Sequence, residues 1–151
     1  MVKEWEHQQV YSLNRKSMDN TNVMVEFRIS GDDYDPAVIS NILAIQPSES
    51  WKKGDKIRNT IKEREYTGWV MSTGYEESLD INIQLSKMIN LLRTKEDCLL
   101  NIKDKYSLKY RFDIVINIEK QQVPAIYLDT DAISFSNKIG IEYDFDMYIY
   151  S

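Results

Sequence analysis

Leu108-Lys-Tyr-Arg-Phe-Asp-Ile-Val-Ile-Asn-Ile-Glu119 is the stretch on which the fold turns. Leu108, Tyr110, Phe112, Ile114, Ile116 and Ile118 alternate with Lys109, Arg111, Asp113, Val115, Asn117 and Glu119. Successive side chains of a strand point to opposite faces, so this period of two predicts a long strand with one apolar face. The stretch from Asn22 repeats the pattern, with Val23, Val25, Phe27 and Ile29 against Met24, Glu26, Arg28 and Ser30. Two strands with matching apolar faces require a second layer to cover them.

Working outward, Ser30-Gly31-Asp32-Asp33 turns the chain and Asp35-Pro36 opens a helix. Asp at the N-cap accepts an orphan N–H, and Pro at the first position has none to lose. That helix is expected to run to about Ala44 and to bury Val38, Ile39, Ile42 and Leu43, with Pro47 preventing its continuation. The stretch 46–65 reads as loop, with Gly54 at a turn, and Tyr66 to Ser72 as a strand carrying Trp69 and Met71. Ser78 is the expected cap of a helix with Asp80 in its first turn and Ile81, Leu85, Met88, Ile89 and Leu92 as its buried stripe. Thr94-Lys-Glu-Asp97 resembles a capping box opening a further helix with Cys98, Leu99, Ile102 and Tyr106. Pro124 to Leu128 reads equally as strand or connector, and a helix at Asp131–Lys138 and a strand at Ile141–Tyr150 complete the chain. Residues 1–20 form a polar arm with a short strand pattern at Gln9–Leu13, and residues 21–151 are expected to be one domain.

Asp35 to Ile45 aligns without gaps on Asp131 to Ile141, sharing Asp, Ser, Asn and the final Ile. The expected fold is therefore α+β: a two-layer sandwich whose mixed or antiparallel sheet has helices on one face, with two βαβ halves of the ferredoxin-like kind. Its other face, carrying Met24, Glu26, Arg28, Lys109, Arg111, Asp113, Val115, Asn117, Glu142, Asp144, Asp146, Tyr148 and Tyr150, is expected to meet water or a partner.

The 151 residues carry 24 Asp+Glu against 19 Lys+Arg, a net charge of −5, which points away from nucleic acid. The stretch 51–64 runs the other way: six cations against Asp55 and Glu63 make it +4 and leave −9 elsewhere. It is either a solvated hairpin or a basic contact patch beside Trp51, which is itself either a core anchor or an exposed hot spot. A single cysteine, Cys98, excludes an internal disulfide, and a single histidine, His7 in the arm, excludes His-based triads and metal sites in the body of the fold. Asp32, Asp33 and Asp35 lack the alternating ligands and distal Glu of a calcium loop, so no metal is expected. Neither GxGxxG nor a Walker A pattern occurs, and no cofactor is expected. Asp144 and Asp146 share a strand face about 7 Å apart, a separation compatible with glycosidase chemistry but on a surface that would leave both carboxyls ordinary. No run reaches the length of a membrane span, and the N-terminus has no signal-peptide core.

Phe27-Arg-Ile-Ser-Gly-Asp-Asp-Tyr-Asp-Pro36, Ile45-Gln-Pro-Ser-Glu-Ser-Trp-Lys-Lys-Gly-Asp55, Gly68-Trp69 and Tyr143-Asp-Phe-Asp-Met-Tyr148 together resemble the bacterial family of domain of unknown function 4279, over residues 22–150. The resemblance implies a small, soluble bacterial α+β domain and associates it with toxin and immunity genes. It brings no assigned activity and hence no catalytic residues.

The resulting expectation is a cytoplasmic, non-catalytic domain that binds another protein, in its most specific form an immunity protein that neutralises a basic toxin. The alternative is an anionic-ligand or nucleic-acid module using the 51–64 stretch. The residues expected to bind are Trp51, Lys52, Lys53, Asp55, Arg111, Asp144, Asp146 and Tyr148.

Overall fold

The computed structural model describes residues 18–150, so most of the N-terminal arm, with His7 and the Gln9–Leu13 pattern, lies outside the described residues. The chain folds as β1 (Asn22–Gly31), α1 (Pro36–Leu43), β2 (Glu49–Trp51), β3 (Thr67–Ser72), β4 (Glu76–Glu77), α2 (Ile81–Arg93), α3 (Glu96–Tyr106), β5 (Lys109–Ile118), α4 (Thr130–Ile139) and β6 (Ile141–Ile149). The strands form one mixed sheet in the order β2-β3-β1-β5-β6, with β4 also pairing with β1. All pairings are antiparallel except β5 with β6.

The helices lie on one face, as expected of the α+β sandwich: α2 against β1, α4 against β6 and α2, and α1 against β3 and α3. Val23, Val25, Phe27 and Ile29 of β1 and Tyr110, Phe112, Ile114, Ile116 and Ile118 of β5 are buried beneath them with Trp69, Leu85, Leu92, Leu99 and Phe135. The two long alternating stretches thus supply the sheet's half of the core, and each large side chain removed from water contributes roughly 1.5–3 kcal/mol.

The two copies of the internal repeat become α1 and α4, and they are anchored alike. Ser40 accepts a hydrogen bond from the Trp69 indole at 3.0 Å, and Ser136 lies 2.8 Å from the Tyr143 hydroxyl. Each helix ends in a left-handed residue, Ala44 or Gly140, whose N–H reaches the Ser40 or Ser136 carbonyl. Their surroundings differ, however. The ferredoxin-like halves form as two interleaved split units, β1–α1–β2 around β3 and β3–α2–α3–β5 around β1, in the order β2-β3-β1-β5. The second repeat copy lies outside them, where β5–α4–β6 adds a directly paired parallel strand. The chain leaving α1 passes through β2 and the 52–66 hairpin before β3 begins, and that reversal turns β3 against β1.

Several local expectations shift. Val38 and Ile42 are 36 and 37% exposed, and α1 buries Pro36, Ile39 and Leu43 instead. Asp80, not Ser78, caps α2, because Asp80 is held extended by its bridge to Ala125 while Ser78 bonds back to Asp80. Thr94 makes no capping box; it closes α2 by bonding the Leu91 carbonyl, and α3 starts at once with no side-chain cap. The stretch 124–128 is a connector held to the start of α2: Ala125 bridges Asp80, and the Tyr127 carbonyl accepts from the Asn82 side chain.

Ala44 sits at φ 55°, a conformation that costs a residue with a Cβ about 1–2 kcal/mol. Ala44→Gly is therefore expected to raise stability by about 0.5–1 kcal/mol after allowing for the freer unfolded chain. Thermal unfolding checks this: the midpoint should rise by roughly 2–4 °C, and an unchanged or lower midpoint would contradict it.

Candidate interaction face

The sheet face away from the helices is built from rows of side chains that the register sets side by side. Arg28, Arg111 and Glu142 form one row across β1, β5 and β6; Glu26, Asp113 and Asp144 form the next. Like charges directly opposite would repel, so the bonds run diagonally. Arg28 Nε donates to Asp113 at 2.9 Å, and Arg111 grips the same carboxylate through Nε at 2.6 Å and a terminal nitrogen at 3.2 Å. Asp113 is completely buried and Arg28 is 4% exposed. Burial alone would lower the Arg28 pKa, but Asp113, Tyr66 and Glu26 outweigh it and hold the guanidinium charged well above its ordinary value.

From Arg28 the network extends to the β2–β3 hairpin. Arg28 donates to the Tyr66 hydroxyl at 2.8 Å, and the Tyr66 carbonyl accepts the Trp51 indole N–H at 2.9 Å. Trp51 lies edge-on to Tyr66, with the Arg64 guanidinium 4.0 Å above its ring. The pairing of Trp51 with Gly68 places the indole across a residue with no Cβ, and any Cβ there would collide with the ring. Trp51 is 6% exposed, which decides between its two readings: it is the anchor of the hairpin, not an exposed hot spot.

The basic stretch is correspondingly less free. Lys53 bonds Asp32 at 2.8 Å, which raises its pKa, and Lys56 and Arg64 pair with Glu63 and Glu49. Asp55 accepts the Lys52 N–H, so it shapes the turn that Gly54 completes at φ 92°. Lys52 is exposed, and with Lys53, Asp32 and Asp33 it lines a shallow cleft of about 330 Å³.

The face expected to meet water or a partner is itself largely buried, Met24, Arg28, Asp113, Val115 and Asn117 among its buried residues. Trp51 and Tyr66 cover one end. At the other, Tyr75 lies near Glu26, Asp146, Tyr148 and Tyr150; burial, and then these acidic neighbours, raise its pKa. Asp144, Asp146 and Tyr148 are half-buried, Glu142 is exposed, and Arg111 lies at the other end of the face from Tyr148. The structure therefore brings Arg111 beside Asp113, and keeps Lys52, Lys53 and Asp55 apart from the β6 acids. Cys98 is half-buried against the core.

One surface was not anticipated. Phe145, Met147 and Ile149 share the helix-side face of β6, yet they are 39, 47 and 75% exposed. α4 covers only the first part of the strand, through Ile139 and the Ser136–Tyr143 contact. Their alternation is visible in the sequence, but it reads as core, since period alone does not say where the covering helix stops. Among the described residues, no group of three or more His, Cys, Asp or Glu is placed to hold a metal, and no helix is long and apolar enough to cross a membrane.

A family model matches residues 20–150, nearly all of the described chain. The chain belongs to DUF4279, a domain of unknown function. No curated protein and no solved structure matches it. The Trp51-Lys-Lys-Gly-Asp55 and Gly68-Trp69 stretches that carried the family resemblance are thus the hairpin anchor and its receiving strand, which are structural features.

Gly68→Ala should push Trp51 out of its seat at a cost of about 1–3 kcal/mol. Urea unfolding followed by tryptophan fluorescence checks this. A lower midpoint with red-shifted native emission is expected, and an unchanged midpoint would show that the indole does not need the glycine.

Proposed function

We propose that this chain is a non-catalytic protein-binding domain whose partner is a basic protein that docks along the far end of β6. The observation that carries the reading is the make-up of that strand. Phe145, Met147 and Ile149 are exposed on one side, and Glu142, Asp144 and Asp146 alternate with them on the other. Contiguous exposed apolar side chains mark interaction sites in soluble proteins. The apolar strip would supply affinity, while the acids, in a chain of net charge −5, would speed encounter with a cationic surface and select it.

In its most specific form the domain is a bacterial, cytoplasmic immunity protein and the partner a toxin, since a nuclease cleft built for phosphate offers such a basic surface. The non-catalytic reading is supported by Asp113, whose carboxylate is committed to two arginines. The nucleic-acid alternative loses support because Lys53, Lys56 and Arg64 are paired within the fold.

The test is capture of partners from native cells by the tagged chain at low and high salt, with Met147→Asp plus Ile149→Asp in parallel. Both positions are solvent-exposed, so the double variant should keep the wild-type unfolding midpoint. The expected result is a stoichiometric basic protein held by the wild type at high salt and lost, by about tenfold or more in affinity, from the variant. Equal retention by the variant would overturn the reading. So would a wild-type dimer that the variant dissolves, because the strip would then be a self-association surface.

A further inference from the structure

A cleft of about 450 Å³ opens at the other end of the sheet, where β1 finishes and β5 starts. Its lining includes Arg28, Ser30, Tyr66, Ser107, Lys109 and Arg111. The register explains why the cations meet there: Arg28 stands opposite Arg111 and Ser30 opposite Lys109. A volume of this size suits a metabolite rather than a macromolecule.

We infer that this cleft binds a small oxyanion, a phosphate or carboxylate group, with Arg111 and Lys109 as its principal ligands. Arg111 is 29% exposed at its side chain and gives Asp113 only Nε and one terminal nitrogen. A guanidinium has five N–H donors in a planar fork, so donors remain for an incoming anion. Lys109 is exposed, and it pairs with no carboxylate of the described residues. Asp32, the acid of the lining, is engaged by Lys53. The hydroxyls of Ser30, Ser107 and Tyr66 add neutral donors around these cations. Three cationic side chains, one of them buried, thus converge on a hollow in a chain whose net charge is −5. Charge-assisted bonds to an oxyanion are about twice as strong as neutral ones.

The cleft and the β6 strip lie at opposite ends of the molecule, so one can fail while the other stands. The test is calorimetric titration of the wild-type chain with inorganic pyrophosphate and, separately, with citrate, at constant ionic strength. Saturable binding tighter than about 1 mM is expected for at least one, and which one binds separates phosphate from carboxylate. Lys109→Ala should weaken it about tenfold, as should Arg111→Gln, the loss expected for one charge-assisted bond. Lys62→Ala, a lysine outside the cleft, should leave it unchanged. Lys109 is exposed, so its variant remains informative if Arg111→Gln folds poorly. No saturable binding of either anion, or equal binding by Lys109→Ala, would overturn the inference.

Discussion

Asp113 is a carboxylate with no access to water in a central strand of the sheet. Burying a charge is tolerable only when it is paired and hydrogen-bonded, and this one is held by Arg28 and Arg111 together. The non-helical half of the molecule follows from that requirement. Arg28 carries the network to Tyr66, Tyr66 to Trp51, and Trp51 seats the hairpin across Gly68. The apolar layer under the helices builds the domain, while this polar layer sets the shape of its opposite face.

The parts of the fold legible in the sequence were those where one rule operates alone. The alternation of Leu108–Glu119 and of the stretch from Asn22 yields β5 and β1, and Asp35-Pro36 marks the start of α1 where it stands. Boundaries that depend on distant chain were not legible. Asp80 caps α2 because Ala125, far along the chain, holds it extended, and β3 runs antiparallel to β1 because a hairpin intervenes. Strands as short as β2 and β4 carry no period to read. Of the binding candidates, Arg111 was placed beside a cleft, whereas Trp51 became an anchor, since neighbours on another strand decide whether an aromatic in a lysine-rich loop lies in or out.

The same sheet offers two unlike surfaces because its strands outrun their cover. α4 protects the start of β6, leaving Phe145, Met147 and Ile149 uncovered towards its end. On the opposite face the starting end of β5 presents Lys109 and Arg111 beside Ser107. An acidic, apolar edge suits a cationic protein, and a hollow with converging cations suits a small anion. Between them the Asp113 cluster ties β1 to β5 through Arg28 and Arg111.

That cluster can be measured directly by a double-mutant cycle on Arg28→Met and Asp113→Asn, followed by urea unfolding. The account predicts that Asp113→Asn alone costs about 3–5 kcal/mol, and that the double variant falls short of the summed single losses by at least ~1 kcal/mol. Losses that simply add, or an Asp113→Asn cost below ~1 kcal/mol, would contradict the claim that this buried carboxylate organises the face.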